Sequence, residues 1–190
     1  MRSIDLCKKG LTSLVGMVTE GVRNVDCSYN KLTSLEGLPE SVRYVYCSYN
    51  YITSLEGLPE SVNYIDCKHN ELTSLEGLPE GVEYINCNYN PHLTSLQGLP
   101  EGVRRVHCSY NKQLTSLKGL PKGVREVDCK YNNLTSLEGL PEGVEYIDCR
   151  YNNLTSLQGL PEGVRGVDCS HNKLTSLEGC LLYTSPSPRD

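Results

Sequence analysis

Ten cysteines in 190 residues are the side chains with the most evident capacity for chemistry. Thiolates form disulfides, bind metals and act as nucleophiles. Eight of the ten stand at one position of a repeat, 20 or 21 residues apart: Cys27, Cys47, Cys67, Cys87, Cys108, Cys129, Cys149 and Cys169. None forms a Cys-x-x-Cys pair, the spacing typical of zinc and redox sites. Their period instead indicates a small apolar residue at an inward-facing position, which a free thiol can provide.

We therefore expect a buried, reduced cysteine ladder; disulfides and a thiolate metal site are the alternatives. Thiols that stay reduced favour a reducing intracellular compartment. In the first unit of the repeat, Cys7 stands one position later than the cysteine of the other units. This places it on the outer side of the first strand, where we expect a reactive thiol.

The remaining chemistry-bearing residues form no catalytic pattern. The four histidines (His69, His92, His107 and His171) lie far apart along the chain, and neither a Gly-x-Ser-x-Gly motif nor a phosphate-binding loop occurs. The sequence predicts no enzyme, no catalytic residue, no metal site and no cofactor.

The elements that position these residues follow from the repeat. Its pattern is Val-x-x-(Val/Ile)-x-Cys-x-x-Asn-x-(Leu/Ile)-Thr-Ser-Leu-x-Gly, usually followed by Leu-Pro. A fixed period of this length indicates a solenoid, because a unit of this size buries its apolar residues only by stacking on its neighbours. Alternation predicts a short strand with Val45 and Cys47 inward and with Tyr44, Tyr46 and Ser48 outward. Strands of successive coils must then pair in parallel, and the Gly- and Pro-rich return predicts little or no α-helix.

Residues 1–179 resemble the short 20-residue leucine-rich repeats that are common in bacterial proteins. The signature positions of one copy are Val42, Val45, Cys47, Asn50, Ile52, Leu55, Leu58 and Pro59. The resemblance implies a right-handed superhelical arc with a parallel sheet on its concave face, used to bind other proteins. We expect one domain of about nine repeats over residues 1–179, the first degenerate and the last truncated. Residues 180–190 resemble translated sequencing-adapter read-through, and we expect a non-native or disordered tail there.

Two polar and aromatic columns have a structural interpretation. An asparagine at the end of each strand can satisfy backbone groups of its own and the adjacent coil, which predicts an asparagine ladder. Its members are Asn30, Asn50, Asn70, Asn90, Asn111, Asn132, Asn152 and Asn172. The residue before each asparagine is aromatic, and we expect these rings to stack along one edge of the solenoid. The Thr-Ser pair of each unit is expected to cap the following turn.

Candidate partner-binding residues lie at the outward strand positions that vary between repeats. Tyr44, Tyr46, Tyr64 and Tyr84 fall together in early coils, and Arg105 and His107 follow in the same positions. Tyrosine and arginine are enriched at binding hot spots, so these six residues are the expected partner-contact surface on the concave face. The alternative is cross-strand stacking that only stabilises the sheet.

Charge is divided between the turns and the sheet. The net charge is −5, yet the turns around Gly-Leu-Pro carry eleven glutamates against Lys118 and Lys122. On the sheet we expect Asp128, Asp148 and Asp168 to stack, with Lys130, Arg150, Arg125 and Arg165 as the neutralising cations; a cation site is the alternative. Nucleic acid is disfavoured as a partner because no basic stripe exists.

No apolar run is long enough to span a bilayer, and no signal peptide is visible at the N-terminus, so we expect a soluble monomer without a membrane partner. The predicted function is a protein–protein interaction scaffold that binds a protein partner through its concave face. One alternative is the recognition half of a truncated effector or enzyme, such as a ubiquitin-ligase-type effector. The other is a structural, adhesive or ice-binding surface.

Overall fold

The computed structural model describes residues 2–176. Nine three-residue strands form one parallel sheet in chain order. They are β1 (Ser3–Asp5), β2 (Asn24–Asp26), β3 (Tyr44–Tyr46), β4 (Tyr64–Asp66), β5 (Tyr84–Asn86), β6 (Arg105–His107), β7 (Glu126–Asp128), β8 (Tyr146–Asp148) and β9 (Gly166–Asp168). Each strand opens one coil of a β-solenoid, and no α-helix occurs within residues 2–176. The predicted solenoid with a parallel sheet and tight-turn returns is confirmed.

The core is a continuous column of apolar side chains inside the coils. The middle residue of the strand points inward, as at Val45, and the cysteine two residues later does the same at Cys47; neither is exposed to solvent. Leu or Ile residues of the return path, such as Ile52 and Leu55, close the column from the other side. A single coil has too few apolar residues for a core, so the fold is stable only because coils share these contacts.

The inner thiols form the expected cysteine ladder. Those from Cys27 to Cys149 are buried and unoxidised, whereas Cys169 is only partly buried. The thiol of Cys67 donates a hydrogen bond to the carbonyl oxygen of Asn86 in the next coil, 3.3 Å away, and Cys87 donates to His107 in the same way. Burial raises the pKa of Cys87 to about 12, so the thiol keeps the proton that it donates.

The outward position of Ser48 does not leave its side chain exposed to solvent. Ser48 is predicted to face outward, yet it is 4% exposed, and its hydroxyl donates to a carboxylate oxygen of Asp66 at 3.0 Å. The alternation of a strand predicts the side from which a residue leaves the backbone. It does not predict that a longer side chain in the next coil will cover a short one.

Glycine and serine shape the return path. Gly77 has a φ of +87°, and a Cβ there would lie 2.6 Å from the backbone nitrogen of Glu56 in the preceding coil. Only glycine combines that backbone conformation with so close an approach. Ser54 accepts a hydrogen bond from the Glu56 amide at 3.2 Å, which is the turn cap expected from the Thr-Ser pair.

Two coils of 21 residues absorb their extra residue without shifting the core. The additional residue follows Asn90 in one coil and Asn111 in the other, where a turn returns the chain to the core leucine. The Leu93 amide donates to the Asn90 carbonyl at 3.0 Å, the Leu114 amide donates to that of Asn111 at 2.8 Å, and both leucines are fully buried.

Within residues 2–176, no segment forms a helix of the length and hydropathy that crossing a membrane requires. The expectations for the tail 180–190 and for the end of the last repeat lie outside the described residues.

Candidate functional site

The asparagine ladder holds successive coils together. Asn50 donates from Nδ2 to the carbonyl oxygens of Cys47 in its own coil (3.0 Å) and Cys27 in the preceding coil (3.1 Å). Its Oδ1 accepts from the Leu32 amide at 2.9 Å. One buried side chain thus satisfies three backbone groups that the strand ladder does not reach. The role is structural, and it fixes the spacing of the strands that carry the outer face.

We call the outward side chains at the first and third strand positions the outer face of the sheet. Tyr44, Tyr46 and Tyr64 meet there: the Tyr64 ring lies 5.9 Å from that of Tyr44 and 5.3 Å from that of Tyr46, tilted in both cases. Tyr64 stacks on Tyr84 with centroids 4.4 Å apart and planes within 9°. Parallel in-register pairing produces this arrangement, because Tyr44, Tyr64 and Tyr84 are register partners in adjacent strands.

The two remaining candidate residues continue the same contacts. The Arg105 guanidinium lies 5.6 Å from the centroid of the Tyr84 ring, and His107 meets that ring edge-on at 5.2 Å. The Tyr84 hydroxyl and His107 Nδ1 are 3.2 Å apart. The structure therefore joins all six sequence-derived candidates into one connected surface, the aromatic patch: Tyr44, Tyr46, Tyr64, Tyr84, Arg105 and His107.

The four tyrosines of the patch are half-buried, because they stack on one another. Burial raises the pKa of Tyr84 well above its ordinary value, so its hydroxyl stays protonated. Cross-strand stacking is therefore present, and part of the ring surface is already used within the chain. A pocket of about 200 Å³ is lined by four residues of the patch, Tyr44, Tyr64, Tyr84 and Arg105, together with Asn63, Glu83 and Arg104.

The acidic column of the later coils is neutralised by two of the four expected cations. Lys130 lies 2.7 Å from Asp128 and 3.5 Å from Asp148, while Arg150 lies 2.7 Å from Asp148 and 3.3 Å from Asp168. Burial disfavours the charged form of Asp148, but the hydrogen bonds from Arg150 and the charge of Lys130 outweigh it and lower the pKa.

The expectation for the other two cations is wrong. Arg125 and Arg165 bind Glu145 instead, at 4.0 and 3.1 Å. Each of these three residues directly precedes a strand, whereas each aspartate is the last residue of its strand. The two arginines therefore pair with the carboxylate in their own column and not with the aspartates.

A column of stacked rings runs past the C-terminal ends of the strands. Its members are Tyr29, Tyr49, His69, Tyr89, Tyr110, Tyr131, Tyr151 and His171. Successive centroids are 4.1–4.3 Å apart and the planes differ by 6–13°. All eight residues have φ between +54° and +60°, a left-handed conformation that is uncommon for aromatic residues. Strain repeated at each coil is consistent with rings that stabilise one another rather than with a specificity site.

Sequence reasoning missed one group of metal-type ligands. Single donor atoms of Asp5, Cys7 and Asp26 all lie within 4.8 Å of one another, and Cys7 is partly exposed. The parallel register Asp5↔Asp26 creates this group, since it aligns the two carboxylates. Exposed carboxylates are often close together without an ion, so the group alone defines no site.

The histidines lie at separate places in the described chain. His69 and His171 stand in the ring column, His107 in the aromatic patch, and His92 beside Glu71 at 3.2 Å. The outer face has the features of a binding surface, with aromatic rings at one end and charged groups at the other.

No protein-family model matches the chain, and no curated protein matches it. Solved structures do. The functional domain of InlJ from Listeria monocytogenes, which includes a cysteine ladder, has a TM-score of 0.75 and 27% identity over 92% of this chain. The leucine-rich-repeat domain of a Shigella effector gives a TM-score of 0.59 and 23% identity, with 98% of this chain and 78% of that one covered.

YopM from Yersinia enterocolitica gives a TM-score of 0.51 with 21% identity over 90% of this chain. The present chain spans 56% of the YopM chain and 40% of the InlJ chain. These likenesses agree with the repeat, the single parallel sheet and the buried cysteine column. The chain therefore has the leucine-rich-repeat fold.

Proposed function

We propose that this chain is a protein-binding scaffold that contacts its partner through the aromatic patch on the concave, outer face of the sheet. The observation that carries the proposal is that the patch is one connected surface spanning four adjacent strands, β3 to β6. Tyr and Arg side chains in such clusters contribute most of the energy of many protein interfaces.

The fold leaves this surface available. Each described strand contacts only its neighbours in the sheet, so no other strand packs onto the outer face. Tyr44 and Tyr64 are held by their ring contacts before any partner arrives. Side chains that are already ordered lose less entropy on binding, which favours affinity.

The proposal is tested with a partner captured by a photo-crosslinking residue. The crosslinker replaces Tyr46 in one protein and Glu60, on the exposed turn side, in its matched control. A protein that crosslinks from position 46 and not from position 60 is then purified, and its affinity is measured against single variants.

Tyr44→Ala and Tyr64→Ala should each weaken binding by about 2 kcal/mol, roughly 30-fold, because each removes a ring from the centre of the contact. Glu40→Ala and Glu60→Ala, on the exposed turns, should leave affinity unchanged. Circular dichroism checks that all four variants stay folded. If the glutamate variants lose binding and the tyrosine variants keep it, the partner binds the turn side and the proposal is wrong.

A further inference from the structure

A second region of the outer face adjoins the aromatic patch at His107 and extends across strands β7 to β9. A cavity of about 440 Å³ opens there. We call it the acidic pocket. Its polar and aromatic lining consists of His107, Glu126, Asp128, Tyr146, Asp148 and Asp168, with Gly166 at its far side.

Comparison of the coils shows what is unusual about Tyr146. Tyrosines at the first strand position are followed in the next coil by a side chain that covers the ring: Tyr64 covers Tyr44, and Arg105 covers Tyr84 with its guanidinium at 5.6 Å. The register partner of Tyr146 is Gly166, which has no side chain. Tyr146 is consequently 51% exposed, unlike the half-buried tyrosines of the patch.

The absence of that side chain shapes the pocket. A Cβ at Gly166 would lie 3.0 Å from Cδ1 and 3.4 Å from Cε1 of Tyr146, so the ring leans over the glycine. A larger residue at this position would meet the ring, as the next-coil residue does elsewhere in the column. The missing side chain at Gly166 leaves a notch at a position that Ser, Asn, Tyr, Arg or Glu occupies in strands β1 to β8.

The charge around the notch is negative. Glu126, Asp128, Asp148 and Asp168 contribute four carboxylates, and Lys130 and Arg150 contribute two cations, so the net charge of these six side chains is about −2. Both cations lie along the aspartate column. Among residues 2–176, the ion-pair neighbour of Glu126 is His107, at 3.5 Å, and the Glu126 side chain is 43% exposed.

We propose that the acidic pocket holds an arginine side chain of the protein partner, with its guanidinium against Tyr146 and within reach of Glu126 and Asp168. This inference rests on the proposed function and names the chemistry of the partner. Arg105 on Tyr84 provides the pattern within the same chain, since a guanidinium lies over that ring. Gly166 brings no side chain onto Tyr146, so the exposed part of the Tyr146 ring is open to an external guanidinium. A planar guanidinium both stacks on a ring and binds carboxylates, which an ammonium does less well.

The two regions set a spacing for the partner. Tyr84 and Tyr146 are three strands apart, which corresponds to about 14 Å across the sheet. An extended segment covers that distance with about four residues. The partner should therefore carry an apolar or aromatic anchor and, about four residues away, an arginine.

The pocket is tested without the partner by nuclear magnetic resonance titration. The probe is Nα-acetyl-arginine amide, and the matched control is Nα-acetyl-citrulline amide, which has the same shape without the charge. We expect the arginine probe to produce saturable shifts at the Gly166 and Val167 amides that weaken as salt is added. The citrulline probe should bind about fivefold more weakly than the arginine probe, or not at all.

Variants locate the binding site. Tyr146→Ala and Glu126→Gln should each weaken the arginine probe about fivefold, and Gly166→Leu should block it by filling the notch. Tyr64→Ala, in the aromatic patch, should leave the probe unaffected. Equal binding of citrulline, or full binding by Tyr146→Ala and Gly166→Leu, overturns the assignment.

The captured partner separates this inference from the proposed function. If Tyr64→Ala weakens the partner while Tyr146→Ala and Glu126→Gln do not, the scaffold proposal stands and the arginine pocket is wrong. If none of the three weakens it, both are wrong. Loss of affinity in all three, together with loss on replacing an arginine of the partner by citrulline, supports both.

Discussion

Replacing Asn111 by alanine tests whether the asparagine ladder is what joins one coil to the next. Asn111 is fully buried. Its Nδ2 donates to the carbonyl oxygens of Cys87 (3.1 Å) and Cys108 (3.0 Å), and its Oδ1 accepts from the Asn90 amide at 2.7 Å. Cys87 and Asn90 belong to the preceding coil. Alanine removes all three hydrogen bonds, and two of them join the two coils.

The magnitude follows from the groups left behind. Alanine would leave two carbonyls and one amide of the backbone buried without this partner, and each unsatisfied buried group costs about 1–3 kcal/mol. Local adjustment recovers part of that, so we expect Asn111→Ala to lower the free energy of unfolding by about 3–6 kcal/mol. Such a loss is a large fraction of the stability of an ordinary domain.

Two controls replace exposed residues by alanine, one of them an asparagine and the other at a ladder position. Asn133→Ala removes an asparagine whose side chain donates to the Lys112 carbonyl at the surface, and Lys9→Ala alters the ladder position of the first coil, where lysine replaces asparagine. Both should change stability by no more than about 0.5 kcal/mol.

The assay is urea denaturation followed by circular dichroism, with hydrogen exchange of the Asn90 amide as the local readout. Asn111→Ala should lower the denaturation midpoint and speed exchange at Asn90, while the controls do neither. Equal midpoints for Asn111→Ala and Lys9→Ala would refute the argument that the ladder supports the stack.

Other predictions concern the thiols and the turns. In a protein carrying Cys180→Ser, a thiol reagent should modify Cys7 quickly and Cys87 slowly, because Cys7 is partly exposed and Cys87 is buried; rapid reaction of Cys87 in the folded state would contradict its inward position. Burial raises the pKa of Cys87 from its ordinary 9.0 to about 12, so its stabilising effect is fully present below about pH 9 and is lost as the pH rises towards 12, where only the unfolded chain has released the proton. Cys87→Ala should therefore make the alkaline fall in denaturation midpoint less steep, and an unchanged slope would show that this thiol is not desolvated. Gly77→Ala should destabilise by more than Gly10→Ala, since both positions have positive φ but only at Gly77 would a Cβ meet backbone; similar denaturation midpoints would mean that the close approach is unimportant.

Much of the outer face could be predicted from the period alone. Register in a stack of equal coils follows from residue spacing, so Tyr44, Tyr64 and Tyr84 had to lie side by side once the strand was recognised. Which faces of the rings meet could not be predicted, because rotamers depend on neighbours in two coils. The contact of Arg105 and His107 with the single ring of Tyr84 is of this kind.

The notch at Gly166 had a sequence signal that was easy to overlook. Glycine stands where the same column elsewhere has a larger residue, and it directly follows Tyr146 in register. In the sequence, Gly166 shows only that one side chain of this column is missing. In the structure it becomes an exposed ring beside carboxylates, because the neighbouring coils hold the walls of the pocket in place.

The sequence by itself determined the solenoid, the inward Val, Cys and Leu columns, the asparagine ladder and the lack of helix in the return path. These properties are periodic or local, and a stacked repeat converts sequence spacing directly into position. The tertiary structure decided that Ser48 is covered by Asp66, that Lys130 and Arg150 rather than Arg125 and Arg165 neutralise the aspartates, and that the ring column adopts positive φ. Each of these depends on which long side chain reaches which group in the adjacent coil, and the distances in the folded structure decide that.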